Sequence, residues 1–455
     1  MTSHISSEDD PIGIASHIGR TLRLAIPVTI ARAGLILMVT ADTIMSGRAG
    51  GPELAFYGIA GAAHITLFLL GIGLLQGTMI LVAQAHGAKD FAQCGQFWRI
   101  GLIHAVLYGA LLGGLLFGAE WFFGAIGQSG EIVAGAGAVA RAFAWGLPAI
   151  VLFAVTTFFL EAMHRPGPGM FVMLAANLIN VGLNWLFIYG HWGLPALGAE
   201  GAALATSIVR WFMFLSLVGY VLAMREGDRL GIRGAIAEGW DKARRIRRLG
   251  YPIGFAYFLE AAAMGGVMMM AGRLGIASAA GYQIAMNLVG VVFMLTLGFA
   301  TAANVRVGNA VGRADRRAVA EAGWVAVGII IVAMLLLAAL FFTLPETLAT
   351  LYTDDLAVRA LAASVIAVAG VAILSDGPQG VLMGALRGTA NVWIPSGIQL
   401  AAFWGVMVPL AYTLVFALGK GAEGLMWANF AGFLVASLGL AARFRVVSRR
   451  PVMRY

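Results

Sequence analysis

Twelve stretches of about 20 apolar residues restrict this chain more than any other feature. They are centred near Ile36, Phe68, Leu107, Val151, Ile179, Phe212, Ala262, Val291, Ile331, Val368, Trp404 and Phe433. A stretch of that length crosses the hydrocarbon core of a bilayer. A backbone in lipid must satisfy its own hydrogen bonds, so each span is expected to be a helix. Composition agrees: 60% of the residues are hydrophobic and 11% charged. The expected fold class is an all-α membrane protein with twelve transmembrane helices in two six-helix, parallel-repeat lobes.

The two lobes follow from an internal duplication. An ungapped offset of 225 residues lays Arg23 to Asp90 over Arg248 to Asp315, and 19 of the 68 pairs are identical. About a tenth would coincide by chance in a chain so rich in Gly, Ala and Leu. Pro27 falls on Pro252, Gly47 on Gly272, Arg48 on Arg273, Tyr57 on Tyr282, Gly73 on Gly298, Gly87 on Gly312 and Asp90 on Asp315. Both copies run from a basic start through the same polarity pattern, which makes them parallel repeats of the kind that enclose a site between two halves. The expected organisation is an N-terminal tail at 1–20, a first lobe at 21–223, a basic linker at 224–248, a second lobe at 249–442 and a basic tail at 443–455.

Arginine placement predicts orientation. The linker carries Arg225, Arg229, Arg233, Lys242, Arg244, Arg245, Arg247 and Arg248. The connection between spans eight and nine carries Arg306, Arg313, Arg316 and Arg317, and the tail Arg443, Arg445, Arg449, Arg450 and Arg454. With twelve spans all three fall on one side, which the positive-inside rule makes cytoplasmic, together with both termini. The opposite connections are acidic, with Glu120, Glu131, Glu346, Asp354 and Asp355; Arg48, Arg273 and Lys420 are the exceptions. Topology thus accounts for the net charge of +8 without nucleic acid as a partner. No cleavable signal peptide is expected ahead of the first span. The single cysteine, Cys94, excludes an internal disulfide and a cysteine-rich metal site.

Several chemistries have no residues to carry them. Lys89, Lys242 and Lys420 are the only lysines and none precedes Ser or Thr, so no phosphate-cradling Walker loop can be written. No His-Glu-x-x-His occurs. An intramembrane hydrolase would rest on Ser129 alone, in Gly127-Gln128-Ser129-Gly130, a sequence that turn chemistry explains. The chain is expected not to be an enzyme and to need no cofactor.

Acids inside spans are costly, about 2.5 to 3.5 kcal/mol at a helix centre, so they are functional candidates. Glu260 lies near the middle of the seventh span, Asp376 within the tenth before Gly377-Pro378, and Asp42 toward the far end of the first. Glu260 falls on Leu35 and Asp42 on Val267 in the duplication, so the shared scaffold does not require them. Pro378 frees a backbone carbonyl one turn before it, and a carboxylate beside freed carbonyl oxygens suits a hard cation. Gln379 shares the face of Asp376, and Gln283 with Asn287 forms an i, i+4 amide pair on the eighth span. Together these residues are candidates to ligate Na⁺ or carry a proton, with Glu260 and Asp376 as the metal ligands for Na⁺. Asn180 and Asn184 lie one turn apart on the fifth span and share a face that must meet protein or water. Glu161 and Arg165 are expected to form an i, i+4 ion pair; snorkelling or packing is expected for His64, His104, Arg32, Arg141 and Arg210.

The segments ADTIMSG, VAQAHGA, NVGLNWLFIYG, YPIGFAYFLE, GYQIAMN, RVGNAVG and SDGPQGVLMGALRG, in this order and spacing, resemble the multidrug and toxic compound extrusion (MATE) transporters, in particular their NorM-like branch. The resemblance covers nearly the whole chain. It implies a twelve-helix, two-lobed antiporter of the bacterial cytoplasmic membrane. The antiporter would export cationic or amphipathic drugs against inflow of Na⁺ or H⁺, and a monomer is expected to suffice. Motif match places the coupling cation at Glu260 and Asp376 in the second lobe, and Asp42, Asn180 and Asn184 around the first-lobe cavity. Phe293 or Ala372 stands where some relatives carry a tyrosine near the cation. The rival reading is a lipid-linked sugar flippase of the same fold superfamily, which would want a wide, strongly basic cavity. Substrate flux without cation dependence would mark a passive channel instead.

Overall fold

The computed structural model describes residues 14–125, 127–233 and 239–450. The outermost parts of the two expected tails, and 234–238 of the linker, lie outside the described residues. Twelve helices are long and apolar enough to cross a membrane. In the first lobe these are α1 (Ile14–Ala49), α2 (Gly51–Gly87), α3 (Phe91–Phe117), α4 (Gly130–Ala162), α5 (Gly167–Tyr189) and α6 (Gly198–Leu222). In the second they are α7 (Gly239–Arg273), α8 (Ile276–Gly312), α9 (Arg316–Thr343), α10 (Leu356–Gly388), α11 (Trp393–Ala417) and α12 (Gly421–Arg449). All twelve expected span centres fall inside them. Helices begin earlier and end later than the apolar runs: α1 starts at Ile14, α7 at Gly239, and α12 continues to Arg449. At about 1.5 Å per residue, α2 with its 37 residues is far longer than a bilayer core is thick. Its surplus length stands in the headgroup region and beyond, where hydropathy no longer marks it.

The duplication is reproduced to the residue. The bounds of α2, moved by 225, are those of α8, and the start of α3 becomes the start of α9. Even the strained junctions recur. Gly50 and Gly275 both take positive φ (153° and 101°), as do the non-glycine Lys89 and Ala314 (61° and 59°). Asp90 and Asp315 each cap the following helix, accepting from the amides of Gln93 and Ala318. Such a cap satisfies one of the otherwise orphaned amides at a helix start.

The lobes pack about a pseudo-two-fold axis, visible in reciprocal contacts. Gly73 of α2 lies against Gly254 of α7, and its repeat mate Gly298 of α8 lies against Thr29 of α1, the mate of Gly254. Likewise Gly87 abuts the carbonyl of Asn309 while Gly312 abuts that of Gln84. Glycine is needed at these positions because backbone atoms of the other lobe, joined at Gly298 by the Thr29 side chain, leave no room for a Cβ.

Among the described residues, the hydrogen bonds and ion pairs that join the lobes all lie in the half nearer the arginine-rich side. Gln84 Nε2 donates to Gly388 O at 3.0 Å, and His86 Nδ1 meets Asn309 Oδ1 at 2.8 Å. Arg306 of α8 reaches Thr21 and His17 of α1, and His17 pairs with Glu321 at 3.3 Å. Among the described residues, the polar bridges between the lobes are thus confined to one side.

Candidate functional site

In the first lobe four helices converge on Asp42, which is fully buried. Its Oδ1 accepts from Asn184 Nδ2 at 2.6 Å. Its Oδ2 accepts from Thr206 Oγ1 at 2.6 Å and from the Tyr57 hydroxyl at 3.0 Å. Asn180 Oδ1 accepts from Asn184 Nδ2 at 3.2 Å, and Asn180 Nδ2 donates to Thr206 Oγ1 at 3.2 Å. The i, i+4 spacing of Asn180 and Asn184 on α5 does put both amides on one face, and that face meets α1 and α6. One group is left over: Asn184 Oδ1 is buried and has no hydrogen-bond partner. A buried amide oxygen without a donor is expensive, on the order of 1–3 kcal/mol. Here it stands beside a carboxylate in a ring of hydroxyl and amide oxygens. Chemically such a ring offers hard ligands to a small cation, or a carboxylate to a proton.

A buried cation borders this cluster. Arg210 lies one turn beyond Thr206 on α6, and its Nη1 is 2.7 Å from His64 Nε2. The guanidinium sits over the Phe143 ring at 5.6 Å, and His64 stacks on the same ring at 4.6 Å. Of the two roles expected for His64 and Arg210, snorkelling or packing, this pair takes packing: both are buried.

In the second lobe Glu260 of α7 accepts from Gln399 Nε2 of α11 at 3.0 Å. Asp376 is 4% exposed and lies within electrostatic reach of Glu260, which is in turn within reach of Arg387. Arg387 donates to the Tyr257 hydroxyl at 2.6 Å, one turn before Glu260 on α7. Here too polar capacity is left over, since Gln399 Oε1 and Arg387 Nε are buried without partners. The α11 backbone beside the site is irregular, with π-turns at Phe403–Met407 and Thr413–Ala417 around Pro409, which lacks the amide a regular helix needs. Trp404 Nε1 spans from this segment to Leu259 O at 3.1 Å, next to Glu260.

Two pairings read from sequence are corrected. Gln283 and Asn287 do share a face of α8, but both are exposed and neither hydrogen-bonds Glu260 or Asp376; Asn287 Oδ1 accepts from Tyr352 at 2.9 Å instead. The spacing fixes a common face but not the direction in which it points. Glu161 and Arg165 do not pair either. Arg165 lies beyond the end of α4, after His164 at positive φ, and binds Glu226 at 2.8 Å. Glu161 faces Arg32 of α1 at 3.5 Å. Arg141 pairs with Glu120, and His104 Nε2 meets Arg247 Nη1 at 3.2 Å. Sequence reading missed Tyr57, Thr206, Tyr257, Arg387 and Gln399. Tyr57 carried a signal as a tyrosine repeated at Tyr282, and Tyr257 and Arg387 lie within the segments YPIGFAYFLE and SDGPQGVLMGALRG; Thr206 and Gln399 carried none.

The comparisons with known proteins agree with this architecture. The MatE family model matches residues 27–186 and again 252–413, two segments whose starts are displaced by the 225 residues of the duplication. A probable multidrug resistance protein NorM of Caulobacter vibrioides is 33% identical over 431 residues, 94% of this chain and 91% of that protein. The multidrug resistance protein PmpM of Pseudomonas aeruginosa is 31% identical over 452 residues, 97% and 94% of the two chains. Among solved structures, an outward-facing multidrug resistance MATE family transporter of the MOP superfamily superposes with a TM-score of 0.87 at 22% identity. It covers 97% of this chain and 99% of its own.

Proposed function

The chain belongs to the MATE family of multidrug and toxic compound extrusion transporters, in its NorM-like branch, and from that premise we propose that it is a secondary active exporter of cationic and amphipathic drugs. Export is coupled to inward movement of Na⁺ or H⁺ and proceeds by alternating access. The observation that carries this reading is a buried carboxylate within a polar cluster inside each of two lobes, Asp42 in the first and Glu260 with Asp376 in the second, with the hydrogen bonds between the lobes, among the described residues, gathered on one side. In this reading the arginine-rich side is cytoplasmic, and the hydrogen bonds that join the lobes on that side support a state closed toward the cytoplasm.

Glu260 and Asp376 form the second-lobe cation site with Gln399 as a neutral ligand. Asp42, Asn180 and Asn184, with Tyr57 and Thr206, form the first-lobe site. Cation entry from outside, at an inward voltage of about 100 mV, supplies about 2.3 kcal/mol per charge. That sustains roughly a fifty-fold gradient of a neutral substrate per monovalent cation. A flippase would want a strongly basic cavity for a pyrophosphate, and the buried acids favour the drug exporter.

Antiport through shared carboxylates requires reciprocal weakening of binding. Drug affinity, measured in detergent across pH and across NaCl against equimolar KCl, is expected to fall with acid for H⁺ coupling or with NaCl alone for Na⁺ coupling. Glu260→Gln flattens the response. Affinity insensitive to both series in the wild type refutes direct antiport at these acids.

A further inference from the structure

Where α9 begins and α12 ends, a groove of about 690 Å³ opens on the arginine-rich side. Arg316, Arg317, Arg445 and Arg449 line it, with Trp324 and Ser448. We propose that this groove is a headgroup site for an anionic phospholipid of the adjoining leaflet, one carrying two phosphates.

The charge balance asks for an anion. The four arginines are all exposed. Among the described residues only Arg317 has an acidic partner, Glu321 at 2.7 Å; Arg316, Arg445 and Arg449 have no ion pair. Asp315 is occupied in capping α9. Its charge still acts on Arg317, so four positive charges stand against two carboxylates, Glu321 and Asp315, and leave the groove short of about two negative charges, more than a single phosphate diester supplies. Guanidinium groups bind phosphate oxygens through paired N–H donors, so the residue type also fits.

The surroundings select a lipid over a free phosphate. Trp324 stands eight residues into α9, about 12 Å from Arg316 along the axis. It is 39% exposed and packs edge-on against buried Phe444 with ring centroids 5.5 Å apart. No acceptor among the described residues meets its indole N–H, which places a donor at the depth of the glycerol esters, where tryptophan is favoured. Beyond it the faces turn aliphatic. Val332, Leu335 and Leu336 are exposed on α9, and Leu434 and Leu438 on α12. Leu434, Leu438, Ala441 and Arg445 follow one another at helical spacing on one face of α12. Charge, indole and aliphatic stripe thus succeed one another as phosphate, ester and acyl chain do in a lipid. A soluble anion would use only the first.

The test uses full-length, delipidated protein in a non-ionic detergent, titrated with cardiolipin, phosphatidylglycerol and phosphatidylcholine, with bound lipid counted by native mass spectrometry. The order expected is cardiolipin over phosphatidylglycerol over phosphatidylcholine. An arginine beside an anionic headgroup contributes about fivefold to its binding, an effect that falls off within a Debye length. The triple variant Arg316→Gln, Arg445→Gln, Arg449→Gln is therefore expected to lose about a hundredfold in cardiolipin affinity. Trp324→Ala, which keeps all four arginines, should weaken lipid but not inorganic pyrophosphate. A comparator, Arg225→Gln, Arg244→Gln, Arg245→Gln, removes the same charge from the linker on the same side and is expected to bind as wild type. Equal loss in both triple variants would reduce the groove to general surface charge and overturn the proposal. Indifference of the wild type between cardiolipin and phosphatidylcholine would do the same, as would displacement of cardiolipin by pyrophosphate at equal concentration. Lipid-free thermal melts of each variant show that it is folded when tested.

Discussion

Gly73→Ala tests whether the backbone contacts between the lobes set the closed side. A Cβ at position 73 would lie 2.5 Å from Gly254 Cα, 2.8 Å from Gly254 N and 3.0 Å from Ile253 O. All three atoms are backbone of the other lobe, so no side-chain rotation relieves the overlap and the lobes must separate. Overpacking of this kind costs about 1–3 kcal/mol. The cost is borne by the state in which α2 and α7 touch and is relieved when they part. The population open on the arginine-rich side should therefore rise by about five- to 150-fold, given that 1.4 kcal/mol is a factor of ten. A Thr29→Cys probe in a Cys94→Ser background reads the change, because Thr29 Oγ1 is buried against Gly298 at the symmetry-related contact. Its modification by a hydrophilic maleimide added from that side should accelerate by the same factor in Gly73→Ala. Gly114→Ala is the control, since nothing lies within 4 Å of a Cβ there. An unchanged labelling rate in folded Gly73→Ala, or equal acceleration by Gly114→Ala, would show that the glycine contacts do not hold the closed side.

Asp42→Asn should fold almost normally, because the Thr206 and Tyr57 hydroxyls can turn to accept and Asn184 can present its spare Oδ1. A melting shift of no more than a few degrees is expected, while proton coupling is lost outright or Na⁺ affinity falls about tenfold to a hundredfold. Wild-type substrate-induced cation flux in proteoliposomes would remove Asp42 from the mechanism. Glu260→Gln and Asp376→Asn should each abolish cation-driven efflux with the protein still inserted. Wild-type resistance to a cationic dye or a fluoroquinolone at equal expression in either variant would contradict the second-lobe site. Thr206→Val removes one donor from a buried carboxylate and one acceptor from Asn180, so it should cost about 1.5–3 kcal/mol. That loss would appear in chemical or thermal unfolding, and a variant as stable as wild type would mean the cluster relaxes around the gap.

The sequence by itself determined the number of helices, their approximate centres and the two-lobed duplication. Each of these is written in one-dimensional terms, in the length of an apolar run or the spacing of a repeat. It also marked Asp42, Glu260 and Asp376, because an acid in an apolar span stands out in one dimension. What it could not place were their partners. Tyr57 and Thr206 reach Asp42 from other helices, Thr206 from 164 residues away, and Gln399 reaches Glu260 across 139. The amides of Asn180 and Asn184 point into the lobe whereas those of Gln283 and Asn287, with the same spacing, do not. The tertiary structure alone decided this, because side-chain spacing fixes which residues share a helical face. The rotation of that face about the helix axis is set by the packing of every neighbouring helix at once.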